Sequence, residues 1–229
     1  MDVGDRVVHY APEQPSSLPE LTARLFPAYQ VDGGRVYLAG CQWEDRLFVR
    51  LRGQQNGRAE ELWTDDHGQP LLPELVQQLG LGEARPVTVP PPYAPGMFQR
   101  AIEQARERAA GVFAPGGETS VEEIAAVWCK FVEGKLRFTI GSAWVDLPFS
   151  GWARTVEPPP FICPRTGRAT FHLAATDDGQ ILDASAVGVC EVTGRRLQAD
   201  ELVRCSWTGK QAAKELMDFC SLTGQPVLR

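Results

Sequence analysis

One pentapeptide occurs four times in the last third of this chain, and it limits the folds open to that third. Cys163-Pro164-Arg165-Thr166-Gly167, Cys190-Glu191-Val192-Thr193-Gly194, Cys205-Ser206-Trp207-Thr208-Gly209 and Cys220-Ser221-Leu222-Thr223-Gly224 all read Cys-x-x-Thr-Gly. The starts lie 27, 15 and 15 residues apart. A fixed period marks a small supersecondary unit used repeatedly, and a unit this short must be covered by its neighbours. Thr and Gly supply turn chemistry, Gly by admitting left-handed backbone. Thr166, Gly167, Thr193, Gly194, Thr208, Gly209, Thr223 and Gly224 are therefore read as structural turn residues.

Two readings account for the shared cysteine. Cys163-Pro164-Arg165-Thr166-Gly167 resembles half of a zinc knuckle, Cys-Pro-x-Cys-Gly, with Thr where the second Cys would stand. The resemblance implies that Cys163, Cys190, Cys205 and Cys220 surround one structural Zn²⁺, with the Thr hydroxyls donating to neighbouring sulfurs. A linear stack of units would set the sulfurs in a row, which cannot make a tetrahedron, so the units would have to fold around a centre. His172 offers a lesser, mixed variant. In the other reading each Cys is a small buried hydrophobe that anchors its own turn.

Charge divides the chain unevenly. The formal charge is −6, yet the segment from Phe161 onward carries eight Lys/Arg and eight Asp/Glu. A broad basic face for nucleic acid is absent, although Arg195, Arg196 and Arg204 cluster locally and are read as solvated surface. No apolar run approaches the ~20 residues of a membrane helix. Met-Asp-Val-Gly-Asp at the start lacks the basic and apolar regions of a secretory signal, so a cytoplasmic, reducing location is expected. There the six cysteines should be free thiols or metal ligands rather than disulfides.

The rest of the chain predicts an α+β fold. Residues 1–30 read as an extended, Pro- and Ser-rich arm. Residues 31–157 read as an α+β domain with a β-hairpin, two helices and a β-meander. Within it, Arg35–Leu51 is expected to turn at Glu44-Asp45, followed by a strand over Glu60–Thr64 and a turn at Asp65-Asp66-His67-Gly68. Apolar spacing predicts helices over Leu71–Leu79, stopped by Gly80, and over Met97–Ala110, stopped by Gly111. Five prolines make residues 86–96 a linker, inside which Pro90-Pro91-Pro92-Tyr93 fits a polyproline recognition motif. Val121–Trp128 has conflicting periods and is read as a short helix, with Ser120 and Glu123 as a capping box. A meander follows, turning at Glu133-Gly134 and again at Gly141-Ser142. The cluster Pro158-Pro159-Pro160 then opens the β-turn-rich repeat module, residues 158–229, which includes an Asp178-Gly179 hairpin.

No catalytic signature stands out. Cys129 sits in an apolar run and is read as a packed thiol. Asp65, Asp66 and His67, or Cys129 with a histidine, would be needed for the alternative of a small hydrolase. A second alternative is nucleic-acid binding by the repeats; the tryptophans are read as core residues instead. The leading expectation is a non-enzymatic interaction or scaffold protein with a protein partner, zinc-stabilised if the four cysteines converge.

Overall fold

A computed structural model describes residues 7–55, 58–92, 94–113 and 120–229. It is a mixed α+β structure. In chain order it comprises β1 (Val8–Ala11), α1 (Leu18–Leu25), β2 (Gln30–Val31), β3 (Gly34–Gln55), β4 (Arg58–Asp65), α2 (Pro73–Leu79), β5 (Arg85–Pro86) and α3 (Pro95–Phe113). Two further long strands follow, β6 (Ser120–Ile140) and β7 (Ala143–Trp152). The remainder is short strands: β8 (Phe161–Ile162), β9 (Ala169–Thr170), β10 (His172–Ala175), β11 (Ile181–Asp183), β12 (Val187–Val189) and β13 (Arg196–Gln198). The last four are β14 (Leu202–Arg204), β15 (Gln211–Ala213), β16 (Met217–Phe219) and β17 (Pro226–Leu228). By contacts the chain divides into two compact units. The first takes Met1–Leu21, Gln42–Glu133 and Ser150–Val156; the second takes Thr22–Cys41, Gly134–Phe149 and Glu157–Arg229.

In the first unit a mixed sheet, ordered β4-β3-β6-β1-β5, is covered on both faces. Strand side chains alternate between faces. Leu47, Val49 and Leu51 of β3, with Ala126 and Trp128 of β6, meet Ala101 and its helical neighbours on α3. The intervening Phe48, Val127 and Cys129 meet Trp63, Leu79 and Leu81 on the other side. Each fully buried large side chain contributes about 1.5–3 kcal/mol of hydrophobic free energy. Arg50 is buried among them with a guanidinium 2.6 Å from Glu123 and stacked near Tyr10 and Trp63.

Burial on both faces explains where the periodicity misleads. Val121–Trp128 belongs to β6, not to a helix. A strand covered on both sides reads as an unbroken apolar run, which periodicity cannot assign. Glu44-Asp45 is no turn: β3 runs straight through, with Glu44 paired to Arg46 and Asp45 to Lys130 of β6 at 2.9 Å. Nor does the chain turn at Glu133-Gly134. Gly134 fits closely there, since a Cβ would lie 3.1–3.2 Å from the Phe149 ring and the Cys41 backbone. Residues 1–30 are more than an arm, for they contain α1 and the strand β1, parallel to β6 and antiparallel to β5. The helix of Met97–Ala110 extends to Pro95–Phe113, past Gly111. The predicted helix before Gly80 and the turn at Gly68 form as expected. Tyr93 of the polyproline motif lies outside the described residues.

In the second unit Leu136, Phe138 and Ile140 of β6 alternate inward, and Gly141 turns the chain into β7. Tyr29 packs edge-on against Phe138 at 4.8 Å and against Phe171 at 5.5 Å, and its hydroxyl donates to the Pro159 carbonyl. Pro159 is thus tied to Tyr29. β2 pairs in parallel with β10, which forms a hairpin with β11 across Asp178-Gly179. The rest of the tail is four two-stranded hairpins: β8–β9, β12–β13, β14–β15 and β16–β17.

In the first unit His9 stacks on Phe98 and Trp128, with centroids 5.4 and 6.0 Å away. Trp128 Nε1 donates to His9 Nδ1 at 2.9 Å. Indole can only donate, so His9 must be neutral to accept, and burial holds its pKa below the ordinary value. The unfolded chain therefore takes up this proton first as pH falls. His9 costs nothing above about pH 6.5 and destabilises the fold as pH drops through and below it. The urea midpoint should fall further between about pH 7.5 and about pH 5.5 in the wild type than in His9→Phe. Equal falls would remove His9 from the account.

Candidate functional site

The four Cys-x-x-Thr-Gly segments form the loops of the four hairpins, and all four loops close in the same way. Each Cys amide donates to the carbonyl of the residue after Gly: Arg168 at 2.9 Å, Arg195 at 2.8 Å, Lys210 at 2.8 Å and Gln225 at 2.9 Å. Each Gly amide returns to the Cys carbonyl at 2.7–2.9 Å. That path needs a left-handed residue, and Gly167, Gly194, Gly209 and Gly224 have φ of 68–75°.

Thr bonds in two directions. Its Oγ1 accepts the amide of the residue after Gly, at 3.3 Å for Thr166, Thr193 and Thr208 and 3.4 Å for Thr223. Its hydroxyl also donates to the cysteine sulfur of the same loop. The sulfur collects more donors from its own turn and from the next hairpin. Cys163 Sγ accepts the Asp183 amide at 3.4 Å, and Cys205 Sγ accepts those of Thr208 and Leu228, both at 3.4 Å. The Ala213 amide likewise favours the Cys190 thiolate. Such donors favour the thiolate. Led by the Thr hydroxyl, they lower the Cys190 and Cys205 thiols to about 7 and shift Cys220 downward. At Cys163 burial opposes them, and the net shift is still downward.

In three of the four steps consecutive hairpins are joined by one further backbone bond. The amide after Cys donates to the first residue of the next second strand: Glu191 to Gln211 at 2.8 Å, Ser206 to Pro226 at 2.9 Å. Asp177 makes a comparable bond to Arg196 at 2.9 Å, from one residue later in its loop. That last bond exposes a unit the motif conceals. Ala175-Thr176-Asp177-Asp178-Gly179 stands 15 residues before the Cys190 loop and begins the same sequence of strand, 3₁₀ turn and strand. In the glycine register Ala stands for Cys and Asp for Thr, and the loop closes one residue later, with the Thr176 amide on Gln180 and the Gly179 amide on the Thr176 carbonyl, so a search on the motif passes over it. The Gly179–Gly194 spacing was the available signal. The tail is thus five successive hairpins, four of them with sulfur.

Cys163, Cys190 and Cys205 are buried to 1% exposure or less and Cys220 is half-buried; all six cysteines are unpaired. The four repeat thiols sit in separate hairpins and do not gather into the expected cluster. Among the described residues the one group of three or more metal-type donors within 4.8 Å of one another is Asp65, Asp66 and His67. His172 instead meets Asp32 at 2.9 Å.

Asp65 Oδ1 accepts the His67 and Gln69 amides at 2.9 and 2.8 Å, closing the turn, while Asp66 meets exposed His67 at 2.8 Å. Cys129 is packed among Phe48, Trp63 and Val127, and burial pushes its thiol up to about 12, where it is protonated and unreactive. Trp207, expected in the core, stands 88% exposed.

A thiol whose pKa is lowered on folding adds stability above its unfolded value and loses it as pH falls through the folded one. Wild-type unfolding free energy should therefore rise as pH climbs from about 7 toward 9. Thr193→Val and Thr208→Val each remove a donor to sulfur, so the double variant should show a flatter rise in urea melts across that range. An unchanged slope would mean the thiols stay protonated. No protein-family model, curated protein or solved structure matches this chain.

Proposed function

We propose that this chain is a non-enzymatic interaction protein whose hairpin array holds recognition side chains on a uniform frame. The observation that carries this reading is how the loop divides its residues. Cys, Thr and Gly are consumed in closing the turn, whereas the second variable position points to water. That position holds Arg165, Val192, Trp207 and Leu222, and the last two are 88% and 93% exposed. Large apolar groups recurring on a surface mark a binding face, since scattered ones would show no period. Loops on a rigid repeat scaffold are suited to this use, because the frame tolerates substitution at positions it does not need.

The frame in this reading is closed by hydrogen bonds to sulfur, with no shared zinc centre. Each sulfur has its own set of donors within its loop, and those of Cys163, Cys190 and Cys205 gain one from the next hairpin. Metal analysis of protein purified without chelator should give below about a tenth of an equivalent of zinc, and chelator should leave the urea midpoint unchanged. One equivalent of zinc, lost together with the fold, would restore the four-cysteine centre.

A photo-crosslinking residue placed at Trp207 or Leu222 should give the same discrete protein adduct in extract of the native host. Placed at Glu103, on the exposed face of α3, it should give none. Adducts that do not distinguish these positions would remove the array from the function.

A further inference from the structure

Resting on the reading of the array as a binding face, we propose that its occupant is a peptide segment in which acidic residues are interleaved with large apolar ones. The apolar half of the argument is the row at the loop tips. Val192, Trp207 and Leu222 occupy one equivalent position in consecutive hairpins, and Val189 and Phe219, immediately before Cys190 and Cys220, are also exposed. The backbone hydrogen bonds from Glu191 to Gln211 and from Ser206 to Pro226 join these hairpins step by step, so equivalent residues follow one another from hairpin to hairpin.

The charged half is local. The chain carries −6 overall, yet Arg204 stands between Val189 and Phe219 at their equivalent position, and Arg168, Arg195 and Lys210 follow the loop glycines. Glu191 is the one acid in the four Cys loops. Arg195 lies 3.4 Å from Glu215 and Arg165 meets Asp200, while Arg168, Arg204 and Lys210 have no ion-pair partner among the described residues. Unpaired cations beside exposed apolar groups complement carboxylates beside apolar groups. Nucleic acid also carries negative charge, but two of the three loop tips, Val192 and Leu222, have no ring on which a base could stack.

Fluorescence anisotropy with three labelled probes tests this: a peptide interleaving Glu with Leu and Phe, its counterpart with Lys for Glu, and an oligo-dT. The full chain is used, with circular dichroism and urea midpoints confirming that variants fold. The acidic peptide should bind best. Trp207→Ser/Leu222→Ser should weaken it about tenfold or more, as loss of exposed anchors does. Arg204→Glu/Lys210→Glu should weaken it by a similar factor and transfer preference to the Lys peptide. Equal affinity for both peptides that still falls in the Ser variant overturns the acidic preference and leaves the interaction reading standing. Tighter binding of oligo-dT, or no binding of either peptide, overturns the proposal, and the crosslinks at 207 and 222 then report separately on the interaction reading.

Discussion

The tail depends on sulfur as a shared hydrogen-bond acceptor. A 15-residue hairpin has too few apolar groups to fold by itself, and its loop leaves several amides in need of partners. In each loop a cysteine answers both needs. Its compact sulfur fills the space under the turn, and the same atom accepts the Thr hydroxyl and amides from its own loop, joined in three of the four by an amide of the next hairpin. Local closure and stacking on the neighbour are thereby coupled at one atom. Cys220, with donors from its own loop alone, is less buried than the other three.

The first unit is built on a different principle. There the sheet is sealed by α3 on one face and by α2 with Trp63 on the other, and apolar burial supplies the driving force. A buried charge within that layer is exceptional. Arg50 is retained because Glu123 neutralises it and the rings of Tyr10 and Trp63 lie near its guanidinium. Hydrophobic layering organises this unit, and repeated polar closure of loops organises the tail. The second needs few residues per repeat, which frees the remaining positions to vary.

Several elements were legible because their signals are local. The helix ending at Gly80, the turns at Gly68, Gly141 and Gly179, and the four Cys loops each rest on residues within one turn of chain. The sequence misleads where meaning comes from distant partners. Glu44-Asp45 has turn composition, yet Lys130 of β6 holds Asp45 within a strand. Val121–Trp128 has helical spacing, but helices on both sides of the sheet allow the strand to run unbroken in apolar residues from Ile124 to Cys129. The unit at Ala175 was hidden because the loop bonds persist without sulfur: Thr176 donates to Gln180 and Gly179 to Thr176, both at 3.0 Å.

By itself, the order of residues determined that the tail reuses one short loop and that Thr and Gly shape it, because these requirements are met within five residues. Tertiary structure alone decided where the thiols go. Sulfur can ligate a cation, pair with another sulfur or accept hydrogen bonds, and the choice depends on which atoms of other hairpins come within reach. Here those atoms are the amides of Asp183, Ala213 and Leu228, which lie 20 or more residues further along the chain.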